Sequence, residues 1–318
     1  MTKTAENTEH LVYALRVVTE DAAIASYDWV GRSQKETGDG AAVDAMRTAL
    51  NKMPISGKII IGEGEKDEAP MLYQGEEVGS GGRAYDIAVD PIEGTSYMAK
   101  GLPNAMATIC MAPAGAMMDP GPAYYMEKLA VPAEAKGKID PTWPTAKKLE
   151  VLAECLGKNI RDLTVYILEK PRHKTLIKEI NEAGARVALY PAGDVAGALL
   201  AVLPNSGIDA LMGTGGSPEG ILTATAIKAM GGDFMGRIDP QFDDEREAVA
   251  AAGMDTARWY SLDELIAGDE AYFCATGITD GLLFDGVSKD DTYYRMQSLL
   301  ISSTTGGREI LTRYKPHD

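Results

Sequence analysis

Apolar residues recur at helical spacing near the start of the chain, just ahead of a glycine at Gly31. An apolar stripe with this period is typical of an amphipathic helix that buries one face. The sequence therefore predicts a long helix that closes near Gly31, and the segment DGAAVDAMRTALNKM predicts a second helix. The residues on the buried face of the first helix are Leu11, Leu15, Val18, Ala22 and Trp29.

The following segments have the residue types of strands. GKIIIGEGE and YDIAVDPIEGT each join a β-branched run to a glycine-containing turn, and AMATICMAP is typical of a buried strand. Two leading helices followed by strands predict an α+β first domain.

Strands and helices alternate from about Asn159. LTVYILEKPRH, RVALYPAGD and IDALMGTGGSPEG predict strands with loops, and HKTLIKEINEAG, VAGALLAVLP and ILTATAIKAMGG predict helices. This alternation predicts βαβ units and a mostly parallel sheet. We place the boundary within Pro132–Lys158 and predict domains at 1–140 and 141–318. The last strands, AYFCATGIT and MQSLLISS, fit either domain.

Composition narrows the classes of protein. The 318 residues carry a net charge of −16, which disfavours a nucleic-acid partner because phosphate backbones attract Lys and Arg. The three cysteines lack CxxC spacing, which argues against disulfides and a thiolate zinc site. The polar N-terminus is not typical of a signal peptide, and no apolar run reaches membrane-spanning length, so we expect a cytoplasmic protein without a membrane partner.

Acidic residues follow predicted strands or precede predicted helices in four segments. Ligand sites of α/β proteins form at the carboxyl ends of strands, where gathered carboxylates would repel unless a cation lay between them. Oxygen ligands suit Mg²⁺ or Mn²⁺, and the scarcity of histidine and of paired cysteine argues against zinc. The acids are Asp39, Glu63, Glu65, Asp90, Glu93 and Glu219.

Several of these acids also have a structural interpretation. Asp39, in a turn before a helix, suits an N-cap; Glu63 suits a turn; and Glu219 complements a helix dipole. Asp90 and Glu93 are harder to explain in this way, because the proline and glycine of DPIEGT would direct both carboxylates to one point.

The end of the same motif predicts a phosphate site. Gly94 and Thr95 would offer amide donors at a helix N-terminus. The Thr95 hydroxyl suits a helix cap or a group that polarises a metal-bound water. Two divalent cations about 4 Å apart would clamp the attacking water and the leaving oxygen of an in-line phosphoryl displacement.

Residues of the second half suit the rest of a phosphate pocket. Lys170 and Arg172 follow a strand in an acidic chain and would suit a phosphate, although surface charge is the usual role of such residues. Asp194 suits a ligand of hydroxyls or an N-cap, and Tyr125 suits the edge of a core. We predict that His173 is a surface or capping residue.

These segments together resemble a known family. DPIEGT is similar to the DPxDGT signature of the lithium-sensitive, metal-dependent sugar and inositol phosphatases. Eight segments, in order along nearly the whole chain, resemble the class II fructose-1,6-bisphosphatases. They are GRSQKETGDGAAVDAMR, IIIGEGEKDEAPMLY, DIAVDPIEGT, YYMEKL, KPRH, GDVAGAL, GTGGSPEGI and FCATGIT.

The resemblance implies a two-domain layered α-β-α-β-α sandwich, the sugar phosphatase fold, with the metal site in 1–140 and the sugar phosphate in 141–318. It implies that a metal-activated water hydrolyses the 1-phosphate of fructose 1,6-bisphosphate to give fructose 6-phosphate, in gluconeogenesis or the Calvin cycle. It also implies a homodimer or homotetramer that uses Mg²⁺ or Mn²⁺. The implied catalytic residues are Glu63, Asp90 and Thr95, and which group accepts the water proton stays open. The implied metal ligands are Asp39, Glu63, Asp90, Glu93 and Glu219. The implied substrate-binding residues are Glu93, Gly94, Thr95, Tyr125, Lys170, Pro171, Arg172, Ala192, Gly193, Asp194 and Gly216.

The chain departs from the family pattern near the sugar pocket. It has GRSQK where GRGDK is common, Ala192 where the family often has an acid, and Ser96 after DPIEGT. Relatives in photosynthetic bacteria also accept sedoheptulose 1,7-bisphosphate, so a dual-specificity enzyme is an alternative. Less favoured are an inositol-type monophosphatase and a non-catalytic metabolite-binding regulator.

Overall fold

The structure is a computed structural model that describes residues 3–62 and 72–317, with side chains from His10 onward. The helices are α1 (Lys3–Tyr27), α2 (Lys35–Leu50), α3 (Thr95–Lys100), α4 (Thr145–Leu156), α5 (Lys174–Ala183), α6 (Asp194–Val202), α7 (Ser217–Met230), α8 (Asp243–Ala251) and α9 (Leu262–Leu265). The strands are β1 (Ile55–Ile61), β2 (Glu77–Val78), β3 (Arg83–Glu93), β4 (Met106–Pro113), β5 (Tyr125–Val131), β6 (Thr164–Leu168), β7 (Arg186–Tyr190), β8 (Ala210–Gly216), β9 (Asp233–Ile238), β10 (Trp259–Tyr260), β11 (Tyr272–Gly277), β12 (Ser288–Lys289), β13 (Tyr293–Ser302) and β14 (Gly307–Pro316).

The described residues form two compact units. One contains the residues up to Met117 and those from Gly268 onward, and the other is Met118–Ala267. Each unit has its own sheet with helices packed on it, which confirms the predicted two-domain α/β architecture. None of the helices in the described ranges combines the length and the apolar character needed to cross a bilayer.

The first unit is built on a sheet in the order β12-β13-β11-β4-β3-β1-β2, with β14 added to β13. Helix α1 packs on β4, β11 and β13 through a buried face that includes Leu15, Val18 and Ala22. The predicted first helix is therefore confirmed, but it ends at Tyr27, before Trp29. The chain then turns through a left-handed residue at Gly31.

The two units have different bounds from the predicted ranges 1–140 and 141–318. Strand β5 pairs with β8 and β9, which places the segment from Met118 in the second unit. Strand β11 pairs with β4 and β13, which places both C-terminal strands in the first unit.

The second unit contains a mixed sheet in the order β10-β9-β5-β8-β6-β7. Within the described residues of this sheet only the pairs β6–β7 and β6–β8 are parallel, so the prediction of a mostly parallel sheet is wrong. A strand buried on both faces is a continuous apolar run whatever its direction, so the sequence pattern does not report how β5 and β9 pair. The core includes Leu129, Leu149, Leu152, Val165, Ile167 and Ile180.

Candidate active site

A bulge in strand β3 brings Asp90 and Glu93 together. Strand β3 pairs with β4 through Asp90 opposite Thr108 and Glu93 opposite Met106, so β3 has one extra residue between these pairs. Side chains three residues apart normally point to opposite faces of a strand, and one extra residue reverses that alternation. A carboxylate oxygen of Asp90 lies within 4.8 Å of one of Glu93. This acidic pair could hold a metal ion.

Backbone hydrogen bonds fix the shape of this motif. The Asp90 carboxylate accepts the amide of Ile92 at 3.1 Å, which holds the bulge. Gly94 has φ +81 and lies against the backbone of Asn104, so a side chain there would be strained and crowded. DPIEGT is therefore a bulged strand end and a left-handed glycine rather than a simple turn.

Thr95 is the first residue of α3 and not its cap. The N-cap is Gly94, and the Thr95 hydroxyl donates to the Ile92 carbonyl at 3.1 Å. A hydroxyl that donates to the backbone keeps its lone pairs available to accept. The amides of Thr95 and Ser96 precede the first helical hydrogen bond, which runs to Gly94.

The two remaining predicted ligands of the first half have different outcomes. Asp39 lies inside α2, which begins at Lys35 and is preceded by Gln34 as its N-cap, so the predicted turn and the capping interpretation are wrong. Partial burial raises the pKa of Asp39 above its ordinary value, and Lys35 on the same helix opposes this rise. Glu63 and Glu65 lie outside the described residues.

Glu219 lies in the first turn of α7, and its carboxylate folds over Gly216. A β-carbon at Gly216 would lie 1.8 Å from Glu219 Oε2, so any larger residue there would displace this carboxylate. Burial raises the pKa of Glu219, Asp194 raises it further, and Lys128 opposes both. Within the described part of the chain, the buried Oε2 atom has no hydrogen-bond partner. A buried oxygen without a partner is costly, and a cation would satisfy it.

Asp194 forms a buried ion pair with Lys128. Lys128 Nζ lies 2.5 Å from Asp194 Oδ2, and the lysine side chain is almost fully buried on β5. The N-cap of α6 is Gly193, so the capping interpretation of Asp194 is wrong. A β-carbon at Gly215 would lie 2.1 Å from Asp194 Oδ2, which explains the second glycine of GTGGS.

A buried tyrosine holds the loop before α6. The hydroxyl of Tyr166 donates to the carbonyls of Ala192 and Gly193, at 3.1 and 2.9 Å. Its ring stacks on Tyr190, with 4.7 Å between centroids. Ala192 and Gly193, predicted substrate residues, are therefore fixed by side chains from β6 and β7.

Arg172 lies over Tyr125, and Lys170 and Pro171 precede it on the loop after β6. The guanidinium carbon is 5.0 Å from the Tyr125 ring centroid. Arg172 Nε and Nη2 both donate to the Thr214 carbonyl, which orients the guanidinium on β8. Phe242 packs edge-on against Tyr125, with 5.7 Å between centroids. The structure thus brings two predicted substrate residues together.

His173 is buried, so the prediction of a surface residue is wrong. It does occupy the predicted capping position, as the N-cap of α5, but its side chain makes no capping hydrogen bond. Its Nε2 atom accepts the amide of Thr214 at 2.8 Å, which leaves Nδ1 to donate to the Leu168 carbonyl at 2.6 Å. Burial lowers the pKa of His173, and the adjacent Arg172 lowers it further. The neutral ring therefore ties the loop that carries Arg172 to strand β8.

Comparisons with known proteins identify the family of this chain. A family model described as bacterial fructose-1,6-bisphosphatase, glpX-encoded, matches residues 9–314. The chain belongs to this family. It is 46% identical over 298 residues to fructose-1,6-bisphosphatase 1 class 2 of Escherichia coli K12, which covers 89% of this chain and 88% of the relative. The class 2 enzyme of Shigella flexneri matches equally well.

A comparison with solved structures gives a weaker match. The chain resembles an extragenic suppressor from Pyrococcus furiosus with a TM-score of 0.32 and 11% identity, over 61% of this chain and 71% of that one. This likeness is too weak to support a statement about the fold. The predicted membership of the class II fructose-1,6-bisphosphatases is confirmed by the family match.

Sequence reasoning missed three residues that hold the site. Lys128 lies within YYMEKL, where a lysine in an apolar strand is itself a signal of a buried partner. His173 is misassigned because KPRH has the composition of an exposed loop. Glu245 lies among acids at the start of α8, and nothing in DDERE distinguishes it. Its carboxylate accepts the amides of Tyr124, Tyr125 and Gln241.

Proposed function

We propose that this bisphosphatase-family chain hydrolyses the 1-phosphate of fructose 1,6-bisphosphate, releasing fructose 6-phosphate and phosphate. The observation that carries the proposal is the bulge in β3, which gathers Asp90 and Glu93 immediately before the Thr95 hydroxyl. Family membership along residues 9–314 supports the same reaction.

The proposed metal ligands are Asp39, Glu63, Asp90, Glu93 and Glu219. Their donors are all carboxylate oxygens, which suits Mg²⁺ or Mn²⁺. The buried Glu219 Oε2 atom, without a hydrogen-bond partner among the described residues, supports this assignment. When bound, divalent cations lower the pKa of water and neutralise charge on the transferring phosphoryl group.

The chain's own groups would orient the reactants. Thr95, whose hydroxyl proton is given to Ile92, would accept a hydrogen bond from the attacking water and hold it in line with the phosphorus. Glu63 is the alternative acceptor of the water proton. The Gly94–Thr95 backbone would contact the transferred phosphoryl group.

Arg172 would hold the phosphate that is not cleaved. Its Nε and Nη2 atoms donate hydrogen bonds to the Thr214 carbonyl. Arg172 is exposed, and its Nη1 atom has no hydrogen-bond partner among the described residues. Lys170 and Tyr125 complete this proposed subsite, and Ala192, Gly193, Asp194 and Gly216 would contact the sugar. A second phosphate seat favours a bisphosphate over a monophosphate.

The finer parts of the proposal follow from the family resemblance. We expect a cytoplasmic enzyme of gluconeogenesis or the Calvin cycle that assembles as a homodimer or homotetramer. The choice between Mg²⁺ and Mn²⁺, and any use of sedoheptulose 1,7-bisphosphate, are decided by comparing metals and substrates directly.

Phosphate release from a panel of substrates tests the proposal. The panel contains fructose 1,6-bisphosphate, sedoheptulose 1,7-bisphosphate, fructose 1-phosphate and inositol 1-phosphate, with Mg²⁺, Mn²⁺, added Li⁺ or a chelator. We expect metal-dependent release from fructose 1,6-bisphosphate and little from the monophosphates. Equal rates on the monophosphates would refute the bisphosphate assignment, and the absence of metal-dependent release would refute an enzyme.

A matched pair of variants tests the second phosphate seat. Arg172→Met should raise KM for fructose 1,6-bisphosphate about tenfold or more, because a charge-assisted contact to phosphate is lost. Arg186→Met is the control, since Arg186 lies on the surface of the same unit and pairs with Asp162. An unchanged KM in Arg172→Met would remove Arg172 from the substrate site.

A further inference from the structure

Strand β14 has an open edge. It pairs with β13 over its whole length, and no other strand in residues 3–62 and 72–317 pairs with it. In the same register, the amide of His317 donates to the Thr292 carbonyl. Backbone groups alternate in direction along an antiparallel strand, so the odd-numbered residues of β14 face β13. The even-numbered residues from Arg308 to Tyr314 present their backbone groups outward.

Exposed apolar side chains gather at the same edge. Five of the ten exposed large hydrophobic side chains in the described part of the chain lie on β14 or on the elements beside it. They are Tyr13, Val17, Tyr293, Ile310 and Tyr314. Apolar exposure that is concentrated beside an unpaired strand edge marks a surface for association.

Helix α1 runs along β14 and fixes its position. The Tyr13 hydroxyl donates to Glu309, Glu20 pairs with Arg313, and Lys315 pairs with Asp21. Val17 is midway between Tyr13 and Asp21 on the helix, so it lies level with the middle of β14, between Glu309 and Lys315. The middle of the edge is therefore apolar and its two flanks are charged.

We propose that this edge binds a second copy of the chain, with the two β14 strands antiparallel about a two-fold axis at Leu311. This arrangement places Glu309 opposite Arg313 of the second copy, twice, and places Arg308 opposite the other Tyr314. Opposite charges and cation–aromatic pairs directly across strands are favourable. The two Leu311 side chains meet at the axis, beside Val17 of each copy.

The other registers are less favourable. If one strand slides by one residue along the other, in either direction, Arg308 lies opposite Arg313 or Lys315 of the second copy. Residues whose backbone groups face β13 are then paired with residues whose backbone groups face outward. An axis at Thr312 places Pro316, which has no amide hydrogen, at a hydrogen-bonding position opposite Arg308. An axis at Ile310 leaves no charged pair among the residues of β14. An axis at Leu311 is thus the arrangement in which the outward backbone groups of the two strands can hydrogen-bond and opposite charges face each other.

Cysteine cross-linking tests the axis. Residues directly opposite in a non-hydrogen-bonded antiparallel pair have Cα atoms about 4.5 Å apart, which is within the range of a disulfide. Leu311→Cys should form a covalent dimer under mild oxidation, and Thr312→Cys should not. Leu189→Cys is the control, because Leu189 is an exposed residue of β7, the edge strand of the second unit. The absence of a Leu311→Cys dimer, or equal dimer formation by Leu189→Cys, would overturn the proposal.

Light scattering and sedimentation test the same edge without oxidation. We expect the wild-type protein to be at least dimeric. The concentration at which Ile310→Lys dissociates should be at least tenfold higher than for the wild type, and its circular dichroism spectrum should be unchanged. Leu189→Lys should keep the wild-type mass. A monomeric wild type, or an Ile310→Lys protein with unchanged mass and dissociation, would overturn the proposal, and the cysteine test stands if Ile310→Lys fails to fold.

Discussion

Asp90 and Glu93 lie on one side of strand β3, although they are three residues apart, because a single extra residue reverses the alternation between them. The extra residue costs part of the ladder with β4. It also forces two carboxylates into proximity, where they repel in the absence of a cation. The bulge therefore has a role that sheet stability alone does not explain.

Replacing Glu93 with Gln should weaken metal binding and turnover together. The variant loses one of the two neighbouring carboxylate charges. A metal ion at a hundredfold excess over its Kd raises the free energy of unfolding by about 2.7 kcal/mol, and we expect a much smaller increase in the variant. Thermal unfolding with and without Mn²⁺ measures this difference, and phosphate release measures turnover. Glu77→Gln, an exposed acid on β2, is the control and should behave as the wild type. Metal-dependent stabilisation equal to that of the wild type would remove Glu93 from the metal site.

Gly216→Ala should act through Glu219. The backbone of Gly216 has φ −65, which alanine adopts readily, so any loss comes from the β-carbon that would overlap the Glu219 carboxylate. We expect Mn²⁺ affinity to fall about tenfold, which corresponds to about 1.4 kcal/mol, while the protein stays folded. A double-mutant cycle with Glu219→Gln checks the cause, since two changes that act on one group are not additive. Additive losses would contradict this explanation.

His173 should make stability depend on pH. Its folded-state pKa lies below its ordinary value of about 6.5, so the folded protein binds fewer protons than the unfolded chain. The contribution is complete above the unfolded pKa and is lost as the pH falls below it, with a slope of at most about 1.4 kcal/mol per pH unit. His173→Gln, which keeps an acceptor for the Thr214 amide, should flatten this slope in urea unfolding between about pH 7.5 and 5.5. His10→Gln, at an exposed position, should leave it unchanged.

The sequence predicts elements well where a local pattern sets them, as for α1, whose apolar stripe packs on one sheet. It fails where a partner distant in the chain decides the outcome. The sequence predicts that the carboxylates of Asp90 and Glu93 converge, but not the bulge that brings them together, which depends on pairing with β4. The burial of His173 depends on its contact with Thr214 of β8. Asp194 suits a helix cap until Lys128 of β5 is seen beside it. Such relationships are set by tertiary pairing, and the sequence around Asp194 or His173 does not report the partner.

Glu245→Gln should loosen the Tyr125 side of the proposed substrate pocket. The carboxylate is fully buried and accepts three backbone amides, two of them on the Tyr124–Tyr125 segment. Glutamine keeps one acceptor oxygen, but its amide nitrogen would face either the Gln241 amide or the amides of Tyr124 and Tyr125. Each donor left unsatisfied costs about 1–3 kcal/mol. We expect a lower melting temperature and a higher KM. Glu247→Gln, on the same helix, is the control, and a KM equal to that of the wild type would show that Glu245 only supports the fold.

Ser33→Gly should stabilise the protein slightly. Ser33 has φ +57, and the left-handed conformation costs a residue with a side chain about 1–2 kcal/mol. Its amide donates to the Ala99 carbonyl at the end of α3, which holds the loop in this conformation. Glycine removes the strain but adds about 0.5–1 kcal/mol of unfolded-state entropy, so the net gain should lie between zero and about 1.5 kcal/mol. Urea unfolding measures it against Ser33→Ala, which keeps the β-carbon and should show no gain. A Ser33→Gly protein less stable than Ser33→Ala would show that the loop is not strained.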